Sequence, residues 1–188
     1  MLLHIGGRQH LITTAHGLVP DDADHMLHLF TTSGEAPWVE ARRVDDSPTE
    51  LDLAILRLTT EVDTGHVDPP PFEDVGMYLG QECLLIGYPI AIEHSISIAG
   101  APERPFPVVK SGVIAAMSPG LTWLDLTANA GFSGGPVVAR RPVDGALVFL
   151  GIVKGTGVLT SAEHVVQVAG LSPVIPASRV SAAIRQLA

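Results

Sequence analysis

Three side chains of this sequence have the types needed for acyl transfer: Ser133 in "NAGFSGGPVV", His16 closing "LITTAH", and Asp52 opening "DLAILRL". A serine hydroxyl is a weak nucleophile until a neighbouring base takes its proton. Histidine titrates near neutrality, so it can accept that proton and later return it. A carboxylate beside the imidazole fixes its tautomer and stabilises the imidazolium formed during transfer. The small residues around Ser133 would let its N–H and that of Gly131 converge on a developing oxyanion, where losing one donor costs roughly 3–4 kcal/mol. Taken singly, each residue has an ordinary explanation. An "SGG" is a tight turn in most proteins, His16 could be a satisfied histidine, and Asp52 could be a turn or capping residue. Their joint context gives the catalytic reading its weight.

The elements that must position them are short and β-rich. "LLHIGGRQHLITTAH" reads as a hairpin around Gly6-Gly7, which places His16 where a strand gives way to a loop. "HMLHLFTT", "APWVEARRVDD" and "DLAILRL" read as further strands, the last alternating apolar residues with Asp52, Ala54 and Arg57 after the turn-like "DDSPTE". The proline- and acid-rich "TEVDTGHVDPPPFEDVG" reads as a stiff connection between two lobes, residues 1–70 with His16 and Asp52, and residues 71–188 with Ser133. In the second lobe "QECLLIGYP", "HSISIAG", "PFPVVKSGVIAAM", "LTWLDLTA", "GPVVAR", "GALVFLGIVKG" and "AEHVVQVAGLSPVIP" read as strand segments. The tail "PASRVSAAIRQLA" carries Val180, Ile184 and Leu187 at helical spacing after a proline and predicts a closing helix.

Composition narrows the function classes. A mean hydropathy of +0.34 marks a chain that can bury a core rather than stay disordered. Nineteen glycines and fifteen prolines, spread along 188 residues, favour many turns between strands over a helical bundle. The net charge of −9 comes with no basic stripe, which argues against a nucleic-acid partner. The single Cys83 rules out an intramolecular disulfide framework and reads as a buried small hydrophobe. No apolar run reaches the length of a membrane span, and "MLLHIGGRQHL" lacks the layout of an export signal. A cytoplasmic location is therefore expected, unless a preceding segment carries such a signal. His25 and His28, beside Asp21, Asp22 and Asp24, lack any cysteine pair or His-Glu-x-x-His spacing and read as an acidic solvated loop, so neither metal nor cofactor is expected.

"LITTAH", "DLAILRL" and "GFSGGPVV", in that order, resemble the three signature segments of the trypsin-like (chymotrypsin-fold) serine proteases, nearest in style to the bacterial HtrA/Deg type. "GYPI" with "VKSGVIAAM", and "GLSPVIPASRV", are weaker echoes, and the likeness runs from about Leu3 to Leu187. It implies an all-β fold, a double six-stranded β-barrel with a short C-terminal helix and the site in the cleft between barrels. It also implies a serine endopeptidase acting on a peptide or protein, with His16 as base, Asp52 as orienting acid, Ser133 as nucleophile, and the N–H groups of Gly131 and Ser133 as oxyanion donors. Thr127 and Ala128, with Lys154, Gly155 and Thr156, would line the specificity pocket. Nothing there is acidic, so a small or medium apolar side chain is expected, although Lys154 or Thr156 could attract an acidic one.

The sequence departs from that family at two places. Phe132 stands where Asp or Asn usually precedes the serine, so activation through a new N-terminal ammonium is not expected and the ring must find apolar packing. The sequence also starts almost at the histidine hairpin, which implies an abbreviated first barrel or a missing upstream strand; the edge left open is where an oligomer contact or added segment is expected. Two alternatives remain. A binding or scaffold domain could keep the fold without catalysis. An esterase-like hydrolase could use the same triad, but the α/β-hydrolases place their serine first.

Overall fold

The Gly6-Gly7 pair closes a hairpin between β1 (Leu2–Ile5) and β2 (Arg8–Thr14), with Ile5 opposite Arg8 and Leu2 opposite Leu11. Both glycines have positive φ, 56° and 75°, as a two-residue turn matched to strand twist requires. The structure, a computed structural model, describes residues 1–18, 24–29, 37–45, 47–63, 71–72, 76–89, 95–96, 104–105, 107–118, 120–156, 158–160, 165–167 and 170–187. β3 (Asp24–His28), β4 (Trp38–Arg43) and β5 (Leu53–Leu58) complete the first sheet, whose antiparallel order is β1-β2-β5-β4-β3. It has five strands among the described residues rather than the six of a full barrel. Asp24 and His25 belong to its edge strand β3 and not to a loop, and Asp24 pairs with Arg42 across the ladder at 2.7 Å.

The second half forms a closed six-stranded barrel. Its members are β6 (Glu82–Gly87), then β9 (Val108–Ser118), β10 (Leu121–Asp125), β11 (Pro136–Arg140), β12 (Leu147–Val153) and β15 (Leu171–Pro176). Around the barrel the order is β10-β15-β12-β11-β6-β9, and β9 pairs back onto β10. Two small ladders accompany it, β7 (Ser95–Ile96) with β8 (Arg104–Pro105) and β13 (Val158–Thr160) with β14 (Val165–Gln167). "AEHVVQVAGLSPVIP" therefore holds two strands, with Gly170 at positive φ just before β15.

Alternation fails at β5. Leu53, Ala54, Ile55 and Leu56 are all fully buried, because β5 lies between β2 and β4 and is covered on both faces. Its Leu53 and Ile55 join Leu3 and Ile12 of the first sheet, Phe149, Ile152 and Ile175 of the barrel, and Ala177, Val180 and Ala183 of helix α1 (Ala177–Arg185) in one apolar cluster. This shared core binds the two sheets together. The helix starts directly after Pro176, whose fixed φ suits a helix entry, and lays its buried face on β12 and β15.

Of the connecting segment, residues 64–70 and 73–75 lie outside the described residues. Its two ends are anchored. Gln9 holds Val62 through a reciprocal pair of hydrogen bonds of 2.8 and 2.7 Å, and Phe72 packs on Phe149 with ring centroids 4.6 Å apart. Cys83 is buried against the Gly112 carbonyl, and burial pushes its thiol up to about 11, so it stays protonated and inert at neutral pH. No helix among the described residues is long and apolar enough to cross a membrane.

Candidate active site

Asp52 is delivered by a folded turn. Asp45, almost wholly buried, accepts hydrogen bonds from the N–H groups of Ser47 and Ile55 (3.2 and 2.7 Å) and from the Arg43 guanidinium, which pins the β4–β5 connection. A single 3-10 turn, Thr49–Leu51, then ends at Asp52, whose φ of 59° is left-handed. That conformation costs roughly 1–2 kcal/mol for most L-residues, less for Asp, and it redirects the chain into β5. It also leaves the carboxylate facing the end of β2.

There the β2–β5 ladder runs on by one more bond, from the Ala15 N–H to the Asp52 carbonyl at 2.9 Å, and Ala15–Gly17 turns into a 3-10 helix. The His16 N–H donates to Asp52 Oδ1 at 2.8 Å and His16 Nδ1 to Oδ2 at 2.7 Å. An ionised carboxylate can only accept, so the neutral ring's proton sits on Nδ1 and Nε2 carries the lone pair. Asp52 is sheltered and His16 is open: the Asp52 side chain is 13% exposed and that of His16 51%.

Ser133 comes from the barrel. The Phe132 N–H donates to the Asn129 carbonyl (3.1 Å), and that of Gly135 to the Phe132 carbonyl (2.9 Å), which closes the turn before β11. Gly134 and Val153 exchange bonds with the end of β12 and with Gly135 in the same way, N–H of Gly134 to Val153 (2.9 Å) and N–H of Val153 to Gly135 (3.0 Å). Phe132 is completely buried, and a Cβ on Gly87 would stand 2.6 Å from its ring, so the residue before the serine serves as a core plug. Among the described residues the N–H groups of Gly131 and Ser133 have no backbone acceptor, unlike those of Phe132 and Gly134.

Ser133 lines two depressions. One, about 490 Å³, is shared with His16, Asp52, Lys154, Gly155 and Thr156 and is walled by Leu121, Trp123 and Pro173. The other, about 370 Å³, lies toward Thr13, Ile86, Tyr88 and Gly131. Thus His16, Asp52 and Ser133 open on one cleft, and Gly131 faces the second. Thr127 and Ala128 are not among the residues that line the first cleft. The Ala128 N–H donates to Ser172 Oγ, and Thr156 Oγ1 donates to the Ala128 carbonyl, each at 2.8 Å. The Lys154 ammonium is bonded at 2.9 Å to the carbonyl of Glu50, in the turn that delivers Asp52.

Leu121, Trp123 and Pro173 escaped sequence reasoning. Trp123 and Pro173 are directly paired across β10 and β15, a register that only the closed barrel reveals. The aromatic in "LTWLDL" was the available signal.

A sheet that bears a His–Asp pair, set against a barrel that bears a serine turn on the same cleft, defines a trypsin-like architecture. The family description trypsin-like peptidase domain matches residues 3–148, and the chain belongs to that family of serine proteases. Its fold is similar to that of a serine endoprotease from Yersinia pestis, with a TM-score of 0.63 at 21% identity over 99% of this chain. This chain spans 56% of that protein. No curated protein matches it by sequence.

Proposed function

We propose that this domain is a serine endopeptidase using Ser133, His16 and Asp52. The observation that carries the reading is the His16–Asp52 pair, both carboxylate oxygens engaged, opening on the cleft that Ser133 lines. Ser133 Oγ attacks the peptide carbonyl carbon while its proton passes to His16 Nε2. The carbonyl oxygen becomes an oxyanion that the N–H groups of Gly131 and Ser133 stabilise. Collapse breaks the C–N bond, His16 returns the proton to the leaving amine, and an ester to Ser133 remains. Water then attacks that ester as His16 takes its proton. The carboxylic acid departs and Ser133 regains its hydrogen.

Leu121, Trp123 and Pro173 favour a small or medium apolar substrate side chain in the first cleft. The Lys154 ammonium is already engaged with Glu50, which disfavours its recruiting an acidic one.

The test is intact mass after treatment with a fluorophosphonate, on the parent protein and on Ser133→Ala. A single adduct on the parent, absent from the variant, is expected. A parent that stays unmodified while folded would remove the hydrolase reading and leave a protease-fold binding domain.

A further inference from the structure

We propose that Lys110 is a positioning residue that holds the turn ahead of Ser133 in its reactive shape, an inference that rests on the reading of Ser133 as nucleophile. Lys110 lies on β9, opposite Leu85 of β6, and reaches out of the barrel wall toward the serine turn. Its ammonium donates to the Thr127 carbonyl at 2.7 Å and to the Asn129 side-chain oxygen, and it sits over the Phe132 ring, 5.1 Å from the centroid. All three contacts fall on residues 127–132, immediately before the nucleophile, and among the described residues Lys110 forms no ion pair. The cation's donors are thus directed to one segment.

That segment needs such a fastening. Past Ser133 the chain is locked into the barrel by the Gly134–Val153 and Val153–Gly135 bonds. Before it, Ala128 is held by Ser172 and Thr156, while among the described residues the backbone of Asn129 to Phe132 is tied by the Phe132 N–H on the Asn129 carbonyl and the Gly135 N–H on the Phe132 carbonyl. Lys110 grips this stretch at both ends, Asn129 by its side chain and Phe132 by its ring. Gly131 lies between them at φ 93°, so the peptide planes that carry the Gly131 and Ser133 N–H groups turn about a point which Lys110 braces. Releasing it would leave Phe132 buried and the barrel closed while the donors and Oγ lose their mutual alignment. Sub-ångström precision matters in such sites, since a misplacement of about 1 Å can cost roughly 10²-fold in rate.

The experiment compares the parent, Lys110→Met and Lys110→Arg. Methionine keeps the apolar stem and removes the charge and donors; arginine keeps the charge. The rate of fluorophosphonate labelling is followed against reagent concentration. In Lys110→Met the maximal rate should fall about 10- to 100-fold, with the half-saturating concentration little changed, and Lys110→Arg should recover most of the loss. Amide hydrogen exchange, measured in a Ser133→Ala background, should quicken at residues 128–134 in Lys110→Met and stay at parental rates in β12 and β15. Should Lys110→Met fail to fold, Lys110→Gln gives the same comparison. Parental labelling and parental exchange in the charge-free variant would overturn the proposal. If the parent takes no label at all, the nucleophile reading has failed by itself. Exchange at 128–134 then decides whether Lys110 orders the turn: faster exchange upholds that role and unchanged exchange ends it.

Discussion

The two halves of the cleft are built by different means. His16 and Asp52 stand at the ends of adjacent strands of one sheet, His16 just past β2 and Asp52 just before β5, and the bonds between them are local to that corner. Ser133 sits in a turn whose shape depends on parts remote in sequence: Lys110 on β9, Val153 on β12 and Thr13 on β2. His16 and Asp52 are tied by hydrogen bonds between charged or strongly polar groups. Ser133 is held by packing and by a few bonds to a glycine-rich backbone. Chemistry on the first side should therefore be fragile to changes that leave the fold intact, and on the second side geometry and stability should fail together where the serine turn meets the other sheet, at Gly134.

The largest effect should come from Asp52→Asn. Asparagine tolerates the left-handed backbone, and its carbonyl can still accept the His16 N–H, so the urea midpoint should hardly move. Its NH₂ donates where the carboxylate accepted, which turns the ring to the wrong tautomer and puts a proton on Nε2. A fall of about 10⁴-fold in the labelling rate is expected. Labelling within tenfold of the parent would show that Asp52 does not orient the base.

Next is Gly134→Ala, where the serine turn meets β2. A Cβ there would overlap Thr13 Oγ1 and lie 3.3 Å from Thr13 Cα, at a φ of 81° that alanine adopts poorly. The expected loss is on the order of 2–3 kcal/mol in urea unfolding, with reduced labelling. Gly145→Ala is the matched control, with φ 69° and open space, and should cost about 1 kcal/mol from backbone strain alone. Equal losses would mean that contact between the sheets adds nothing. Thr13→Ala in the Gly134→Ala background should recover part of the difference.

The same contrast explains what the sequence disclosed. The local side was readable: "LITTAH" ends one strand and "DLAILRL" begins its neighbour, and the ladder between them carries the two segment ends together. The Gly6-Gly7 hairpin and the Pro176-led helix were readable for the same reason, since each depends on a few contiguous residues. Three things were hidden because they depend on tertiary neighbours. Ala54 looked like the polar side of an alternating strand, but β5 is covered on both faces. Lys154 was read as a pocket residue and does line the cleft, but nothing local signals its bond to a carbonyl 104 positions earlier. Phe132 looked like a defect in the motif; it is the plug that seats the turn, and Gly87, which makes room for its ring, lies 45 positions upstream. Among the described residues the edges of the first sheet are β1 and β3, which follow from ladder order.

The smallest effect concerns acid sensitivity. His10 lies in β2, 5% exposed, with Nδ1 bonded to the Arg8 carbonyl at 2.9 Å. Burial pushes its pKa below the ordinary 6.5, and the charges of Arg57, directly opposite, of Arg8 and of His4 push the same way, while the carbonyl bond opposes them. The unfolded chain therefore binds this proton more readily than the folded one. Stability from His10 is complete above pH 6.5 and is lost as pH falls below it toward the folded value. The barrel hairpin's Asp144, held below the usual carboxylate range by Arg141, contributes in the same sense only at much lower pH, and Asp24 beside Arg42 likewise. Between pH 7.5 and 5.5 the loss should thus fall on the first sheet, where burial also pushes the Met1 ammonium down to about 5 and costs stability in the same direction as pH falls. Exchange in β1, β2 and β5 should quicken before that in β11 and β12, and His10→Gln should reduce the change by its own share. Loss that begins in the barrel, or a His10→Gln profile identical to the parent's, would locate the acid-sensitive region elsewhere and remove this difference between the halves.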